Sequence, residues 1–264
     1  MCGIAGYSLS HSSSVDRTLA AQAMLAGIAE RGADAAGYAF RGIGPSVTVV
    51  KQRTAASELI DSVRVPPGAN EVLVHVRDYT KGHPTIEANN HPIRHGAVVG
   101  IHNGIIENDE ELFARHGWQR AHASMTVDSE AIFALAEEAR SDPIALDELY
   151  GAMAAAWMDE RREDVVYVAR GIGRPLWVGS GSREVFFAST RDALEVVERT
   201  LRMTLRKQEV SEGRLVRLEA GRIGSTAKFQ PDRGYRESRT LPAIRAPREG
   251  VDCLARLAAI ASTV

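Results

Sequence analysis

The chain has 264 residues, of which 44% are hydrophobic and 25% charged, and its 32 Lys and Arg nearly balance its 34 Asp and Glu. This composition is typical of one large or two small globular domains, and the balanced charge disfavours nucleic acid as a partner, because a nucleic-acid surface normally needs a basic excess. No apolar run approaches the ~18 residues that span a membrane, and two cysteines, Cys2 and Cys253, are too few for a disulfide framework, so we expect a cytoplasmic protein.

The first half of the chain alternates short strands with helices. Strands are predicted where apolar and β-branched residues form short runs, at 3–9, 36–40, 47–50, 72–76 and 98–101. Helices are predicted where apolar residues recur at helical spacing, at 15–30, 109–116 and 128–139. Asp128 or Ser129 is predicted to cap the start of the last of these helices.

The second half continues this pattern up to about residue 229. Helices are predicted at 143–153, 192–199 and 251–264, and strands at 165–169, 175–179, 185–188, 203–207 and 214–218. Strands in meanders with helices clustered between them indicate an α+β layered fold rather than a doubly wound parallel sheet. Residues 230–248 are rich in Pro, Arg, Glu and Gly, which predicts one domain over 2–229, followed by a linker and a short C-terminal helix or tail over 230–264.

Cys2 is a candidate nucleophile because removal of Met1 leaves a cysteine that carries its own base. An α-amino group has an ordinary pKa of about 7.7–8.0, so near neutral pH much of it is free to accept the thiol proton. No separate histidine is then required. From position alone, the alternative is that Cys2 is a small apolar residue that opens the first strand.

Polar segments marked by glycine follow the predicted strands and offer groups that suit a free amino acid. The planar fork of Arg77 suits a carboxylate, and Asp128 suits an ammonium group. The Asn103-Gly104 pair offers a side-chain amide and a backbone N–H for an oxyanion hole, although Asn-Gly is also a strong hairpin-turn signal. Taken alone, Arg77 is equally well explained as an edge-strand charge and Asp128 as a helix cap.

Taken in order, these segments resemble the class II, N-terminal nucleophile glutamine amidotransferases, and most closely the glutaminase domain of the glucosamine-6-phosphate synthases. The matching stretches are 1–7, 31–37, 75–82, 90–92, 102–108 and 128–130, with a weaker match from 169 to 189. The resemblance runs in unbroken order over roughly residues 2–225 and implies the four-layer αββα sandwich of the N-terminal nucleophile hydrolases.

The resemblance also implies an activity and assigns roles to residues. Hydrolysis of the side-chain amide of L-glutamine to glutamate and ammonia is implied, through a γ-glutamyl thioester and without a cofactor or metal. Catalysis is assigned to Cys2 as the nucleophile with its amine as the base, and to Asn103 and Gly104 as the oxyanion hole. Substrate binding is assigned to Arg77, Thr80, Gly82 and Asp128.

The sequence departs from the family pattern in two respects. Asp78 and Lys81 replace an aromatic residue and a histidine, and we expect these two side chains to pair across the turn. Only about forty residues follow the matched region, so we expect either that the ammonia passes to a separate acceptor synthase in trans or that the protein is a glutaminase in its own right, and we favour the first. Two alternatives stay open: hydrolysis of another γ-glutamyl substrate, and a non-catalytic regulatory domain of the same fold. The oligomeric state is left open.

Overall fold

The computed structural model describes residues 2–237 and 242–263. Within them the strands are β1 (Gly3–Leu9), β2 (Ala35–Arg41), β3 (Val47–Gln52), β4 (Glu71–Arg77), β5 (Ile93–His95), β6 (Val98–Ile106), β7 (Gly151–Asp159), β8 (Val165–Arg170), β9 (Trp177–Ser180), β10 (Glu184–Ala188), β11 (Arg206–Glu209), β12 (Arg214–Glu219) and β13 (Arg222–Lys228). The helices are α1 (Arg17–Ile28), α2 (Ala56–Leu59), α3 (Asp109–His116), α4 (Glu130–Glu138), α5 (Arg191–Leu201) and α6 (Pro247–Ala261).

These strands form two antiparallel sheets. The seven-stranded sheet has the order β11-β9-β10-β1-β4-β2-β3, and the six-stranded sheet has the order β13-β12-β8-β7-β6-β5. β1 therefore lies in the middle of its sheet, between β10 and β4. β6 lies between β5 and β7 in the other sheet.

The two sheets pack face to face, and helices cover both outer faces. Ile4 points into the core between the sheets, whereas Ala5 and Tyr7 point into the core beneath α1 and α5, as the period-2 alternation of a strand requires. On the other outer face, α3 and α4 pack on the six-stranded sheet through residues such as Phe113 and Phe133. The resulting four layers are the αββα sandwich of the N-terminal nucleophile hydrolases, so the predicted fold class is confirmed.

The predicted helix over 143–153 is wrong in its second half. Residues Pro143–Glu148 form a 3₁₀ turn, and the following segment is β7, the strand between β6 and β8. Alanine favours helices, but Ala154 and Ala156 pack between the sheets while Met153 and Trp157 face the helical layer. Burial on both faces outweighs the local preference. The strands β5 and β13 were not predicted.

The predicted C-terminal helix over 251–264 is present as α6, which begins four residues earlier, at Pro247, and ends at Ala261. This helix begins with a proline at its first turn and packs on α1 through the buried Cys253 and Leu257. Residues 238–241 of the predicted linker, and Val264 at the end of the predicted helix, lie outside the described residues. The domain boundary at 229/230 stays a prediction. Among the described residues, no helix combines the length and apolar character needed to cross a membrane.

Candidate active site

Cys2 directly precedes β1 and is half-buried. Its carbonyl accepts a hydrogen bond from Arg31 Nε (2.9 Å), and its Sγ donates to the carbonyl of Asp78 (3.5 Å). Burial raises the pKa of the Cys2 thiol above its ordinary value, and the positive charge of Arg77 acts in the opposite direction. The resting group is therefore the thiol, and its use as a nucleophile needs a base that removes the proton.

Arg77 is the last residue of β4, the strand that pairs with β1, and it is buried. Its guanidinium donates to Asn90 Oδ1 (2.5 Å), to the carbonyl of Lys81 (2.9 Å) and to the carbonyl of Gly82. These bonds fold the segment after β4 back over the guanidinium. We call residues 78–82 the Arg77 loop. Two of the predicted substrate residues, Arg77 and Gly82, are thereby in direct contact.

Asn103 and Gly104 lie inside β6, where both pair with β7, so the hairpin-turn interpretation is wrong. Asn103 is fully buried, and neither Oδ1 nor Nδ2 has a hydrogen-bond partner among the described residues. Gly104 has φ +151°, and a Cβ at this position would lie 1.9 Å from the carbonyl oxygen of Ala152. Only glycine fits there without a shift of the neighbouring strand.

Buried histidines connect this part of β6 to β4. His75 Nε2 donates to the carbonyl of His102 (3.1 Å), and the His75 ring stacks on that of His91 with centroids 4.2 Å apart. Burial lowers the pKa of both His75 and His102 to about 3, so the two rings are neutral at physiological pH. His75 precedes Arg77 by two residues, and His102 directly precedes Asn103. The hydrogen bond between His75 and His102 therefore joins the two sheets next to the candidate carboxylate-binding and oxyanion-hole residues.

Asp128 is buried, and its carboxylate accepts a hydrogen bond from the backbone N–H of Ile106 at the end of β6 (2.7 Å). The N-cap of α4 is Ser129, the second of the two predicted residues, so the interpretation of Asp128 as the cap is wrong. Burial raises the pKa of Asp128 to about 6. Burial also lowers the pKa of Arg77, and the negative charge of Asp128 opposes that shift. A buried carboxylate and a buried guanidinium therefore influence each other in this site.

The loop that carries Gly82 is joined to the segment before Asp128 by Asn89, a residue to which the sequence assigned no role. Asn89 Oδ1 accepts from the N–H groups of Thr126 (2.8 Å) and Val127 (3.1 Å). Gly82 has φ +77°, and a Cβ there would lie 3.0 Å from the Cα of Val127. The Asn89-Asn90 pair was the available signal, since polar side chains next to a strand end often bind backbone groups.

The expected pairing of Asp78 with Lys81 is wrong. Lys81 Nζ lies 2.6 Å from Oδ1 of Asp109, which is fully buried at the start of α3. Asp78 Oδ2 lies 3.1 Å from Nε of Arg245, in the segment before α6. Thr80, between them, is exposed. Asp78 and Lys81 each form an ion pair with a residue that is distant in the sequence, so their local spacing does not predict these partners.

Comparison with known proteins places these residues in a family. The model of the glutamine amidotransferase domain family matches residues 80–196. The chain is 32% identical over 224 residues to the glutamine–fructose-6-phosphate aminotransferase [isomerizing] of Aliivibrio fischeri, an alignment that covers 80% of this chain and 35% of the relative. The enzyme of the same name from Bacteroides thetaiotaomicron is 30% identical over 214 residues, covering 76% and 33% respectively. The chain belongs to the class II glutamine amidotransferases.

Solved structures agree with this family at the level of the fold. The glutamine phosphoribosylpyrophosphate amidotransferase of B. subtilis has a TM-score of 0.65 at 19% identity, covering 86% of this chain and 49% of that one. A glutamine aminotransferase class-II domain protein from Silicibacter pomeroyi has a TM-score of 0.56 at 18% identity, covering 87% of this chain and 100% of that one. This amidotransferase chain spans about a third of the length of the curated relatives that it matches.

Proposed function

We propose that this chain hydrolyses the side-chain amide of L-glutamine with Cys2 as the nucleophile. The observation that carries the proposal is Asn103, a buried amide without a partner among the described residues, next to Gly104, whose backbone conformation and close approach to Ala152 only glycine permits. A buried polar group left unpaired costs free energy, and an oxyanion that forms only during the reaction would use these donors.

In the proposed reaction, the α-amine of a mature N-terminal Cys2 takes the thiol proton, and the sulfur attacks the amide carbon of glutamine. The negative charge moves to the amide oxygen, where Asn103 Nδ2 and the N–H of Gly104 stabilise it. The C–N bond then breaks, and ammonia leaves with the proton that the α-amine of Cys2 had taken from the thiol. A γ-glutamyl thioester remains on Cys2. Water attacks the thioester through a second oxyanion, which releases glutamate and regenerates the thiol.

The two charges of free glutamine match two buried groups of the site. We assign the α-carboxylate to Arg77 and the α-ammonium to Asp128, with Thr80 and Gly82 along the same pocket. The Arg77 guanidinium donates to the carbonyls of Lys81 and Gly82 in the structure.

The second part of the proposal concerns the enzyme that accepts the released ammonia. The curated relatives are named as aminotransferases that use fructose 6-phosphate. For this chain we propose that ammonia passes to an acceptor enzyme in trans. Co-purification of a synthase whose ammonia-dependent reaction becomes glutamine-dependent in the presence of this chain would support this part.

The nucleophile is tested by comparing Cys2→Ala with Cys253→Ala. Release of glutamate from glutamine, measured with and without candidate acceptors, is expected to disappear in Cys2→Ala and to persist in Cys253→Ala, because Cys253 is buried in the contact between α6 and α1. Mass spectrometry should show a chain without Met1 and labelling of Cys2 by a glutamine-analogue electrophile. Equal rates in wild type and Cys2→Ala would overturn the proposal.

The oxyanion hole is tested by Asn103→Leu, which replaces the unpaired amide by an apolar side chain of similar size. We expect kcat to fall about 10²–10³-fold, as when one oxyanion donor is removed from other enzymes. The free energy of unfolding should stay the same or rise, since an unsatisfied buried amide is removed. A large loss of stability with unchanged kcat per folded molecule would assign Asn103 to the fold instead.

A further inference from the structure

The segment before α6 is fixed beside the residue that holds Cys2. The N–H groups of Arg245 and Ala246 both donate to the carbonyl of Glu30, at 2.9 and 2.8 Å. Glu30 directly precedes Arg31, whose Nε donates to the carbonyl of Cys2 (2.9 Å). Two backbone hydrogen bonds therefore attach Arg245 and Ala246 to Glu30, the neighbour in sequence of the arginine that binds Cys2.

The side chain of Arg245 extends from this point to the Arg77 loop. Its Nε lies 3.1 Å from Asp78 Oδ2, with the arginine 39% and the aspartate 16% exposed. Asp78 is the first residue of the loop, and its carbonyl accepts from Cys2 Sγ (3.5 Å). One residue from the C-terminal part of the chain thus contacts both segments that flank Cys2.

We propose that Arg245 is a positioning residue for glutamine binding, which holds the first residue of the Arg77 loop in place. The other end of the loop is already held, because Arg77 donates to the carbonyl of Gly82 and Lys81 pairs with Asp109. A loop that is restrained before binding loses less conformational entropy when the substrate orders it. This inference rests on the proposed function, since it concerns the same glutamine site.

The expected effect lies on substrate binding rather than on the chemical step. Arg245 touches the loop next to Arg77, whereas Asn103 and Gly104 belong to β6 in the other sheet. Loss of the Arg245–Asp78 pair should therefore raise KM for glutamine and leave kcat nearly unchanged. The pairing requires a carboxylate at position 78, which is one of the two positions where this sequence departs from the family pattern.

The test compares Arg245→Gln with Arg256→Gln. Arg256 lies in α6, the helix that follows Arg245, and pairs with Asp61, with both side chains about half exposed, so its loss removes an ion pair whose partner is outside the Arg77 loop. We expect Arg245→Gln to raise KM about fivefold with kcat within about twofold, the scale of one partly exposed ion pair. Arg256→Gln should leave KM as in the wild type.

A double-mutant cycle then isolates the pair. In an Asp78→Asn background, Arg245→Gln should have no additional effect on KM, because its partner charge is already gone. The positioning role is overturned if KM is unchanged in Arg245→Gln, if Arg256→Gln raises KM equally, if kcat/KM increases, or if the two effects are additive.

A readout without substrate separates this inference from the proposed function. Hydrogen–deuterium exchange of the amides of residues 78–82 should be faster in Arg245→Gln than in wild type and unchanged in Arg256→Gln. A wild-type chain that releases no glutamate would overturn the proposed function, and the exchange comparison would still decide whether Arg245 restrains the loop. Equal exchange in all three proteins would overturn the restraint itself.

Discussion

Asp128 is a buried carboxylate whose protonation changes within the pH range of ordinary assays. Burial raises its pKa in the folded chain to about 6, whereas an aspartate in an unfolded chain has a pKa of about 3.9. Ionisation of Asp128 therefore disfavours the folded state. This penalty is absent below about pH 4, grows between about pH 4 and 6 as the unfolded chain ionises first, and is constant above that range.

From this we predict that Asp128→Asn is more stable than wild type at about pH 8 and that the difference shrinks toward about pH 4. Thermal unfolding of both proteins across this range measures the difference, in which the other titrating groups largely cancel.

The activity of the wild type should change with pH in the opposite direction to its stability. If the carboxylate binds the α-ammonium, wild-type kcat/KM falls as Asp128 is protonated below about pH 6, and Asp128→Asn shows a low, flat profile. A stability difference independent of pH would contradict the raised pKa.

At the scale of elements, the pair β6–β7 carries the candidate oxyanion hole, and the two strands approach each other closely at Gly104. A Cβ there would lie 1.9 Å from the carbonyl of Ala152, at φ +151°. We predict that Gly104→Ala lowers the free energy of unfolding by more than about 1 kcal/mol, because it strains the backbone and separates the strands. Gly42→Ala is the matched control, since a Cβ at Gly42 meets no atom within 4 Å. Denaturant unfolding of both variants gives the comparison, and equal stability would contradict the close approach.

The same pair shows what the sequence can and cannot predict about an element. The apolar start of β6 was predicted from its β-branched residues, but its continuation through Asn103 and Gly104 was not, because Asn-Gly is locally a turn signal. The whole of β7 was missed, because its alanines favour a helix in isolation. In both cases the partner strand and burial on two faces decide the conformation, and neither is visible in a local window.

At the scale of the whole molecule, the sequence likewise predicted some residues of the candidate site and missed others. The residues with a chemical signature, Cys2, Arg77 and Asp128, were selected from the sequence, and the structure describes them on three separate segments. Their supports were not selected. Asn89 holds the segment before Asp128, and Arg245 reaches Asp78 across 167 positions of sequence. Such contacts depend on how distant segments pack, so spacing along the chain does not encode them.

The packing of α6 makes a prediction about the molecule as one folding unit. Leu257 is 3% exposed and belongs to the same core as α1 and α5, whereas Leu254, in the same helix, is 41% exposed. Leu257→Ala should therefore lower the free energy of unfolding by about 2–5 kcal/mol, and Leu254→Ala should stay within about 0.5 kcal/mol of wild type. If α6 is part of the cooperative core, denaturation followed by circular dichroism and by tryptophan fluorescence gives one coincident transition that moves as a whole in Leu257→Ala. A separate early transition for α6, with the main transition unmoved, would instead show that the helix docks on an independently stable domain.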